Sequence, residues 1–235
     1  MTRVLVVTPT YDERDNLEPF CDALFAALPS AHLLVIDDAS PDGTGALAAE
    51  LASRDERIRV SHRARKLGLG TAYVSGFLRA LDDGYDVVVE MDADLSHDAR
   101  ALPDLLAALE RGADVAVGSR NVPGGGIVGW GPGRLLLSRG GSFYARSILG
   151  VAVRDMTTGF KAYTRSALEA IDVASLRSEG YAFQIETTYR ALRRGLTVVE
   201  VPIVFTDRRA GRSKLDRSVV LEAVVAPWRL RFARF

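Results

Sequence analysis

The sequence predicts an α/β protein of a single domain, with a mostly parallel central sheet flanked by helices. Short apolar segments of strand length alternate with helical patterns through the first half of the chain. The strand segments are apolar at nearly every residue, which is typical of strands covered on both faces. Repeated strand–helix–strand units of this kind form parallel sheets with right-handed crossovers. No polar linker divides the 235 residues into separate domains.

The first half contains five predicted strands and four predicted helices in alternation. The strands are apolar runs at residues 3–8, 32–37, 58–62, 87–91 and 114–118. Helices are predicted where apolar residues recur at helical spacing, as Leu17, Phe20 and Leu24 do. These helices span residues 16–28, 42–53, 70–81 and 99–111.

The pattern changes after Arg120. Residues 122–133 contain six glycines and two prolines, which predicts a mobile loop. Helices are predicted at 135–149 and 182–194, followed by a strand at 197–205. A last helix, interrupted by Pro227, is predicted at 218–232.

Composition excludes several classes of protein. Thirty basic residues balance thirty acidic ones, so the chain lacks the basic footprint that bulk nucleic-acid binding needs. The single cysteine, Cys21, rules out an internal disulfide and any zinc site with two cysteine ligands. No apolar run is long enough for a signal peptide core or a spanning helix. These features favour a reducing, cytoplasmic location.

Charge is nevertheless uneven along the chain. The last thirty residues carry a net charge of +5, so the preceding part carries −5. Basic residues interleaved with Val, Trp and Phe can contact an anionic membrane surface or an anionic substrate. An ordinary solvated helix face is an equally good interpretation of this pattern.

Polar residues cluster where predicted strands end, and in open α/β sheets ligands bind outside those ends. Asp92-Ala93-Asp94 follows a buried strand, with Glu90 just before it. Two carboxylates this close can reach one hard cation, and Mg²⁺ and Mn²⁺ prefer such ligands. Taken alone, the motif is better explained as a solvated turn or a helix cap.

Two further segments are candidates for nucleotide contacts. Asp37 and Asp38 end another strand and can accept hydrogen bonds from hydroxyl groups, whereas Asp42 is more typical of a helix cap. The segment 66–70, Lys-Leu-Gly-Leu-Gly, precedes a predicted helix and could cradle a phosphate. It matches neither the P-loop nor the dinucleotide fingerprint, so a tight turn is the better interpretation.

The remaining candidates are cations, histidines and one thiol. Residues 208–214 place four cations on a glycine-containing loop that could close over a diphosphate, or that could be ordinary surface charge. His97 lies near the aspartate pair, and we expect it to be structural or solvent-facing rather than a metal ligand. His32 and His62 lie in strands and are expected to be packing residues. Cys21 lies in an apolar helical pattern, which argues against a nucleophile.

Together these segments resemble the family-2 glycosyltransferases of GT-A (Rossmann-like) fold, and among them the dolichol-phosphate or polyprenol-phosphate mannose synthases. The resemblance covers nearly the whole chain, and its later motifs are the more specific ones. The matching segments, in family order, are residues 8–13, 37–44, 66–70, 92–95, 118–120, 155–160, 180–186, 200–202 and 208–214.

The resemblance implies one catalytic domain of residues 1–235, whose two halves would bind different substrates. Residues 1–119 would bind the nucleotide sugar and metal, and residues 120–235, with the basic C-terminal helix, would bind the acceptor. The nucleotide-sugar contacts would come from Pro9, Tyr11, Glu13, Asp37, Asp38, Lys66, Gly68, Asp92, Ala93, Gln184 and Glu186. The acceptor phosphate would meet Arg120, Arg134 and Ser138.

The resemblance also implies a metal-dependent mannosyl transfer. Asp92, Asp94 and Ser96 would bind Mg²⁺ or Mn²⁺, and the catalytic residues would be Asp94, Arg208 and Lys214. The donor would be GDP-mannose and the acceptor a polyprenyl phosphate, with the protein bound peripherally to the cytoplasmic face of a membrane or recruited by a separate membrane protein. Two departures are Ser96, where the family usually has Gln, and Asp12, where it often has Asn.

Three alternatives remain open from the sequence. The chain could use UDP-glucose or another nucleotide sugar, on polyprenyl phosphate or on another acceptor. It could be an inactive nucleotide-binding partner subunit, if Ser96 abolished metal binding. A nucleotidyltransferase fits less well, because residues 8–13 lack the Gly-rich, Lys-containing loop expected after the first strand.

Overall fold

A seven-stranded sheet forms the centre of the protein, seen in a computed structural model that describes residues 2–207 and 217–233. In chain order, the strands of the described residues are β1 (Val4–Thr10), β2 (His32–Asp37), β3 (Ile58–His62), β4 (Val87–Glu90), β5 (Val115–Ser119), β6 (Gly126–Val128), β7 (Lys161–Thr164), β8 (Val198–Pro202) and β9 (Val204–Thr206). The central sheet has the order β3-β2-β1-β4-β7-β5-β8, and β6 pairs with β9 in a separate two-stranded sheet.

Helices cover both faces of this sheet. Over the same described residues they are α1 (Arg14–Ala27), α2 (Thr44–Arg54), α3 (Leu69–Asp82), α4 (Leu102–Glu110), α5 (Pro132–Leu149), α6 (Arg165–Ala170), α7 (Gly180–Arg193) and α8 (Arg217–Phe232), with short 3₁₀ turns at Ala99–Ala101 and Val173–Ser175. This arrangement confirms the predicted α/β fold with a mostly parallel sheet. None of the described helices is long and apolar enough to cross a bilayer.

Alternate residues of β1 enter two different hydrophobic cores. Val4 and Val6 pack with side chains of α1, α2 and α4 on one face. Leu5 and Val7 pack on the other face with α3 and α7, where the rings of Tyr73 and Phe183 stack at 5.6 Å. Burial on both faces explains why the predicted strands are apolar at nearly every position.

Strand β7 is the one strand of the described central sheet that runs opposite to its neighbours, β4 and β5. The sequence predicts no strand here, because the segment is four residues long and begins with a lysine. Lys161 is fully buried in the structure and pairs with the equally buried Glu90 of β4. A buried charge is tolerated only when it is paired, so a short-range pattern misses such a strand.

Two predictions for the second half need correction. Residues 122–133 are not irregular throughout, because β6 lies within them and pairs with β9. The single strand predicted at 197–205 is divided into β8 and β9, which belong to different sheets. Phe205 of β9 also bridges to His97. The second sheet therefore lies against the loop that follows β4.

The C-terminal helix α8 packs on α5 and α7 in a third hydrophobic core. The Tyr144 hydroxyl donates a hydrogen bond to the carbonyl of Val224 at 2.9 Å and accepts one from Trp228 Nε1 at 3.0 Å. The helices predicted at 135–149, 182–194 and 218–232 are confirmed with small changes at their ends. Pro227 lies inside α8, as the sequence indicates.

Gly76 determines how closely α3 approaches the sheet. A Cβ atom at this position would lie 2.4 Å from Val7 Cγ1 and 2.9 Å from Ile36 Cδ1. We therefore predict that Gly76→Ala destabilises the protein by about 1–3 kcal/mol, because the helix must move away from β1 and β2. Urea unfolding followed by circular dichroism measures the change.

The matched control is Gly140→Ala in α5, where no atom lies within 4 Å of the added Cβ. Alanine favours an exposed helix by up to about 1 kcal/mol over glycine, so this variant should be as stable as the wild type or more so. Equal stability of Gly76→Ala and wild type would contradict the proposed close packing.

Candidate functional site

The loops that follow the parallel strands lie together at the carboxyl ends of those strands. Thr10 at the end of β1 pairs with Asp37 at the end of β2, and β4 ends beside β1 at Glu90. Each of the three loops contains a non-glycine residue in the left-handed region, namely Asp12 (φ 56°), Ala39 (φ 59°) and Leu95 (φ 60°). Such conformations cost about 1 kcal/mol or more and collect at functional sites.

Asp37 is buried and held in place by hydrogen bonds. Its Oδ1 accepts from the hydroxyls of Ser40 at 2.6 Å and Thr10 at 3.3 Å. His62 lies 4.0 Å from Asp37 Oδ2, with half of its side chain exposed, so the prediction of a packing role for His62 is wrong. Asp42 accepts from the backbone N–H groups of Thr44 and Arg14, which confirms its capping role.

Asp38 binds the segment 66–70 rather than projecting from its strand. Its carboxylate accepts from the N–H groups of Leu67 and Gly68 at 2.9–3.0 Å and lies 3.0 Å from Arg63. The contacts make Asp38 a positioning residue for this loop. The loop in turn brings Lys66 Nζ to 3.7 Å from the centre of the Tyr11 ring.

Residues 66–68 lead into α3 without a tight turn, so that prediction is wrong, and the helix terminus there is not free. The carboxylate of Glu179 accepts from the N–H groups of Gly70 at 2.8 Å and Thr71 at 3.3 Å, and so occupies the positive end of α3. Gly68, with φ 101°, leaves room for Glu179, since a Cβ would lie 2.6 Å from its Oε2. The idea of a phosphate cradle at this terminus is therefore wrong.

Asp92 and Asp94 lie in the loop after β4. Asp92 Oδ1 accepts from the Tyr73 hydroxyl at 3.1 Å, and Asp94 Oδ1 accepts from the N–H of Ser96 at 3.0 Å. Gly159 lies next to both Asp92 and Gln184. A Cβ atom on Gly159 would be 3.4 Å from Asp92 Oδ2 and 3.4 Å from Gln184 Nε2. Gln184 therefore lies next to Asp92; its contact with the nucleotide sugar stays a prediction.

The carboxylate pair has the electrostatic character of a cation site. Loss of hydration in the crevice and the neighbouring charge of Asp94 raise the pKa of Asp92 to about 7. Its side chain is still 39% exposed, so the charge remains accessible from solvent. Mg²⁺ and Mn²⁺ are commonly held by one or two carboxylates together with substrate phosphates, so these residues fit such an ion.

Ser96 and His97 lie beneath the pair. The Ser96 side chain is fully buried, and its hydroxyl has no hydrogen-bond partner among the described residues. His97 packs between Phe160 at 5.1 Å and Phe205 at 5.2 Å, and burial lowers the pKa of His97 to about 4. His97 is thus a neutral, structural residue, and it is not solvent-facing.

A buried polar network lies directly under the loop. Lys161 Nζ lies 3.2 Å from Glu90 and donates to Gln184 Oε1 at 2.7 Å and to Thr187 at 3.0 Å. The Tyr163 hydroxyl donates to Glu90 at 3.2 Å. This network fixes Gln184 next to Asp92. Lys161 and Tyr73 are not among the residues predicted from the sequence, where their only signals are polar groups within apolar patterns.

Arg120 is buried against Asp155. Its guanidinium donates to both carboxylate oxygens at 2.7 Å, and a third bond reaches the Thr157 hydroxyl at 3.0 Å. Glu200 holds the same loop, since its carboxylate accepts from the N–H groups of Arg154 and Asp155. Arg120 is therefore held rigidly at the end of β5.

Arg134, the second arginine predicted to meet the acceptor phosphate, lies in α5. It forms an ion pair with Asp207 at 3.0 Å and stacks over the Trp130 ring at 4.0 Å. Trp130 packs edge-on against Phe205, and Arg120 lies 5.5 Å from the centre of the same Phe205 ring. Phe205 thus connects the two arginines. Ser138 is half-buried one helical turn after Arg134.

Other predicted residues have different surroundings. Both oxygens of Glu186 are occupied, by Arg190 and by the N–H of Ser178, so Glu186 shapes the segment before α7. Glu13 is the N-cap residue of α1, and its N–H donates to the Thr44 hydroxyl. Pro9 and Ala93 lie in the loops or strand ends of the crevice edge. Arg208 and Lys214 lie outside the described residues.

His32 packs on Tyr85, as predicted, and burial raises the pKa of Cys21 to about 12, which makes Cys21 a poor nucleophile.

Comparison with known proteins gives both a family match and close relatives. The family model described as glycosyl transferase family 2 matches residues 5–172. Polyprenol monophosphomannose synthase from Mycolicibacterium smegmatis is 51% identical, over 97% of this chain and 88% of its own length. Undecaprenyl-phosphate mannosyltransferase from Micrococcus luteus is 48% identical, over 95% of this chain and 91% of its own.

Solved structures share the fold at lower identity. Glucosyl-3-phosphoglycerate synthase from Mycobacterium tuberculosis, in complex with Mn²⁺, UDP-glucose and phosphoglyceric acid, superposes with a TM-score of 0.68 at 22% identity. The match covers 97% of this chain and 80% of that one. This likeness confirms the architecture expected of a GT-A fold, with a mostly parallel sheet flanked by helices.

The raised pKa of Asp92 gives a stability prediction for the metal-free protein. Because the folded pKa lies above that of an unfolded aspartate, ionisation of Asp92 destabilises the fold increasingly as pH rises from 4 to 7. Asp92→Asn removes that charge, so its melting temperature relative to wild type should rise between pH 5 and pH 8. We expect at most about 1 kcal/mol, since the side chain is partly exposed.

Asp98→Asn is the control for this pH series. A hydrogen bond from Arg100 lowers the pKa of Asp98, so the residue is ionised throughout this range and the effect of the variant should not change with pH. Thermal melts in EDTA measure both series. If the difference in melting temperature between Asp92→Asn and wild type did not change with pH, the raised pKa of Asp92 would be contradicted.

The Arg120–Asp155 pair should contribute strongly to stability. Asp155→Asn leaves a buried guanidinium without its counterion, which costs about 3 kcal/mol or more. Asp207→Asn removes the partner of Arg134, but both side chains of that pair are more than a third exposed, so the loss should stay below about 1 kcal/mol. Urea unfolding of both variants measures the difference, and similar losses would contradict the buried role of Asp155.

Proposed function

The chain belongs to glycosyl transferase family 2, and from this premise we propose that it transfers mannose from GDP-mannose to a polyprenyl phosphate. The observation that carries the proposal is the carboxylate pair Asp92 and Asp94 at the strand ends, where burial and the charge of Asp94 raise the pKa of Asp92 and a bound divalent cation would offset the repulsion between the two carboxylates. The names of two relatives at about half identity point to mannose as the sugar and to a polyprenyl phosphate as the acceptor.

Residues 1–119 would bind the nucleotide sugar. Pro9, Tyr11 and Asp37 line the edge formed by β1 and β2, and Asp38 holds Lys66 and Gly68 in the position that covers this edge. The Lys66 ammonium over Tyr11 adds a positive charge where a diphosphate would enter. Gln184, fixed by Lys161, would orient the sugar or the diphosphate beside Asp92.

Asp92 and Asp94 would hold Mg²⁺ or Mn²⁺. When bound, such an ion supplies positive charge against the diphosphate leaving group. The Mycobacterium tuberculosis enzyme of the same fold was solved with Mn²⁺ and a nucleotide sugar, which supports a metal here. Ser96 would contribute through its N–H, which fixes Asp94, while its enclosed hydroxyl lies away from solvent.

Residues 120–235 would bind the acceptor. Arg120, Arg134 and Ser138 would face its phosphate, and Phe205 connects the two arginines to the wall beside His97. A phosphate monoester has a second pKa near about 6, so its oxygen is already ionised at neutral pH and no strong general base is needed. That oxygen would attack the anomeric carbon with inversion as the bond to GDP breaks, through an oxocarbenium-like transition state.

Catalysis would then depend on holding two anions together and on stabilising the leaving GDP. Arg208 and Lys214 are proposed to neutralise the leaving diphosphate, together with Asp94 through the metal that it holds. Asp155 and Glu200 would prevent Arg120 from moving as the acceptor enters.

The acceptor lies in a bilayer, so the protein must reach a membrane surface. Helices α5 and α8 expose large apolar side chains, including Leu136, Leu137, Phe143, Trp228 and Phe232. With their arginines, these helices have the composition of surface-bound amphipathic helices. We propose peripheral contact at the cytoplasmic face; recruitment by a separate membrane protein is the alternative that loss of vesicle binding would favour.

The direct test is transfer of labelled sugar into organic-extractable lipid. GDP-mannose, UDP-glucose and UDP-N-acetylglucosamine are offered separately, with a polyprenyl phosphate and Mg²⁺ or Mn²⁺. Label from GDP-mannose alone, lost with EDTA, is the predicted result. Label from a UDP-sugar would contradict GDP-mannose as the donor. Absence of label from every donor would favour another acceptor or an inactive subunit.

The same assay tests the carboxylate pair. Asp94→Ala should lower kcat/KM by about 10²- to 10³-fold, because charge stabilisation in the transition state is lost, and should leave the melting temperature nearly unchanged. Arg208→Ala should behave similarly. Asp98→Ala, four residues from Asp94 but partly exposed and paired with Arg100, is the control and should keep full activity. Wild-type activity in Asp94→Ala would contradict the assignment.

A further inference from the structure

A pocket of about 300 Å³ lies beside α5, between this helix and the loops that follow β5 and precede β7. Four arginines line it, namely Arg120, Arg139, Arg146 and Arg154, together with Asn121 and Phe143. So many cations around one small cavity create a strongly positive local potential.

Three of these arginines have no carboxylate counterion in the part of the chain that the structure describes. Within residues 2–207 and 217–233, no carboxylate forms an ion pair with Arg139, Arg146 or Arg154, whereas Arg120 is paired with Asp155. Like charges held close together repel one another, and a bound anion relieves that repulsion. The pocket therefore has an unmet requirement for negative charge that Arg120 does not share.

The walls of the pocket are already in place. Asn121 Nδ2 donates to the carbonyl of Arg154 at 3.2 Å, and the N–H of Arg154 donates to Glu200 at 2.9 Å. Arg146 lies 5.6 Å from the centre of the Phe143 ring, on the preceding turn of α5. An anion would thus enter a formed site and would order only the ends of long side chains.

Apolar and basic residues alternate along the side of α5 that borders the pocket. Leu136, Arg139, Phe143 and Arg146 are spaced by three, four and three residues and so share one side of the helix. Leu136 is 74% exposed and Phe143 is 63% exposed. A free phosphate would leave these two side chains in water, whereas a lipid phosphate places acyl chains beside them.

We propose that this pocket binds the phosphate of an anionic phospholipid, at a site next to that of the acceptor, with Arg120 common to both. Arg139, Arg146 and Arg154 contact the phosphate, while Leu136 and Phe143 enter the outer part of the bilayer. The acceptor phosphate must approach the donor beside Asp92, whereas the headgroup bound here stays in place through turnover. The proposal rests on the peripheral membrane contact proposed above and deepens it, independently of the donor's identity.

The test is flotation of the whole protein with two kinds of vesicle, phosphatidylcholine alone and phosphatidylcholine mixed with phosphatidylglycerol. Each arginine near an anionic surface contributes roughly fivefold in affinity, so the double variant Arg139→Gln/Arg154→Gln should bind the mixed vesicles roughly 25-fold more weakly. Binding to phosphatidylcholine alone should be weak and equal for both proteins.

A matched control changes the same amount of charge elsewhere. Arg111 and Arg194 are exposed and lie just before β5 and β8, at the opposite edge of the sheet. Arg111→Gln/Arg194→Gln should therefore bind the mixed vesicles like the wild type. Equal losses in both double variants would mean that net charge alone drives binding, which would overturn the proposal.

Two further arms separate the sources of phosphate. Displacement of the protein from mixed vesicles by inorganic phosphate, at the concentration of the lipid phosphate, would assign the pocket to a free anion and overturn the proposal. The proposal would equally fail if the Arg139/Arg154 variant lost affinity only for vesicles containing polyprenyl phosphate, because the pocket would then belong to the acceptor.

Turnover in detergent micelles distinguishes this proposal from the function proposed above. The Arg139→Gln/Arg154→Gln variant should keep wild-type transfer there, since no bilayer surface is involved. Absence of transfer by the wild type would contradict the proposed function. The vesicle-binding results would still test the phospholipid site independently.

Discussion

The buried ion pair between Lys161 and Glu90 is the interaction on which the site depends. Both side chains are fully buried, and their strands run in opposite directions with these two residues paired in register. An isolated charge in this position would cost several kcal/mol, so each residue is tolerated only with the other. Burial raises the pKa of Glu90 and lowers the pKa of Lys161, and the attraction between them opposes both shifts.

The reversed direction of β7 decides which residues meet at the edge of the sheet. Because β7 begins where β4 ends, residues 155–160 arrive beside the carboxylates rather than at the opposite edge. Asp155 then fixes Arg120, and Gly159 leaves space between Asp92 and Gln184. One reversed strand thus connects the carboxylate pair with Arg120, while Glu179 joins Glu222 of α8 to the loop at 66–70.

Local patterns were sufficient for the parallel half of the fold, and they placed Asp92 and Asp94 after a buried strand, where the structure has them. Strands 32–37 and 58–62 match the structure to the residue, since strands buried on both faces carry a strong apolar signal. The sequence could not show β7, whose buried lysine depends on a partner about seventy residues away, nor that Glu179 would occupy the end of α3. It also assigned Glu186 to the nucleotide sugar, although that carboxylate holds Arg190 and the segment before α7. Such roles depend on tertiary contacts that no local spacing contains.

The crevice is proposed to bind a nucleoside diphosphate through a metal held by Asp92 and Asp94. Titration calorimetry of GDP into the metal-free protein, and then into the protein with Mn²⁺, tests it most directly. The account predicts measurable GDP binding only with Mn²⁺, and loss of that binding in Asp94→Asn. Equal GDP affinity with and without Mn²⁺, or no affinity in either case, would contradict it.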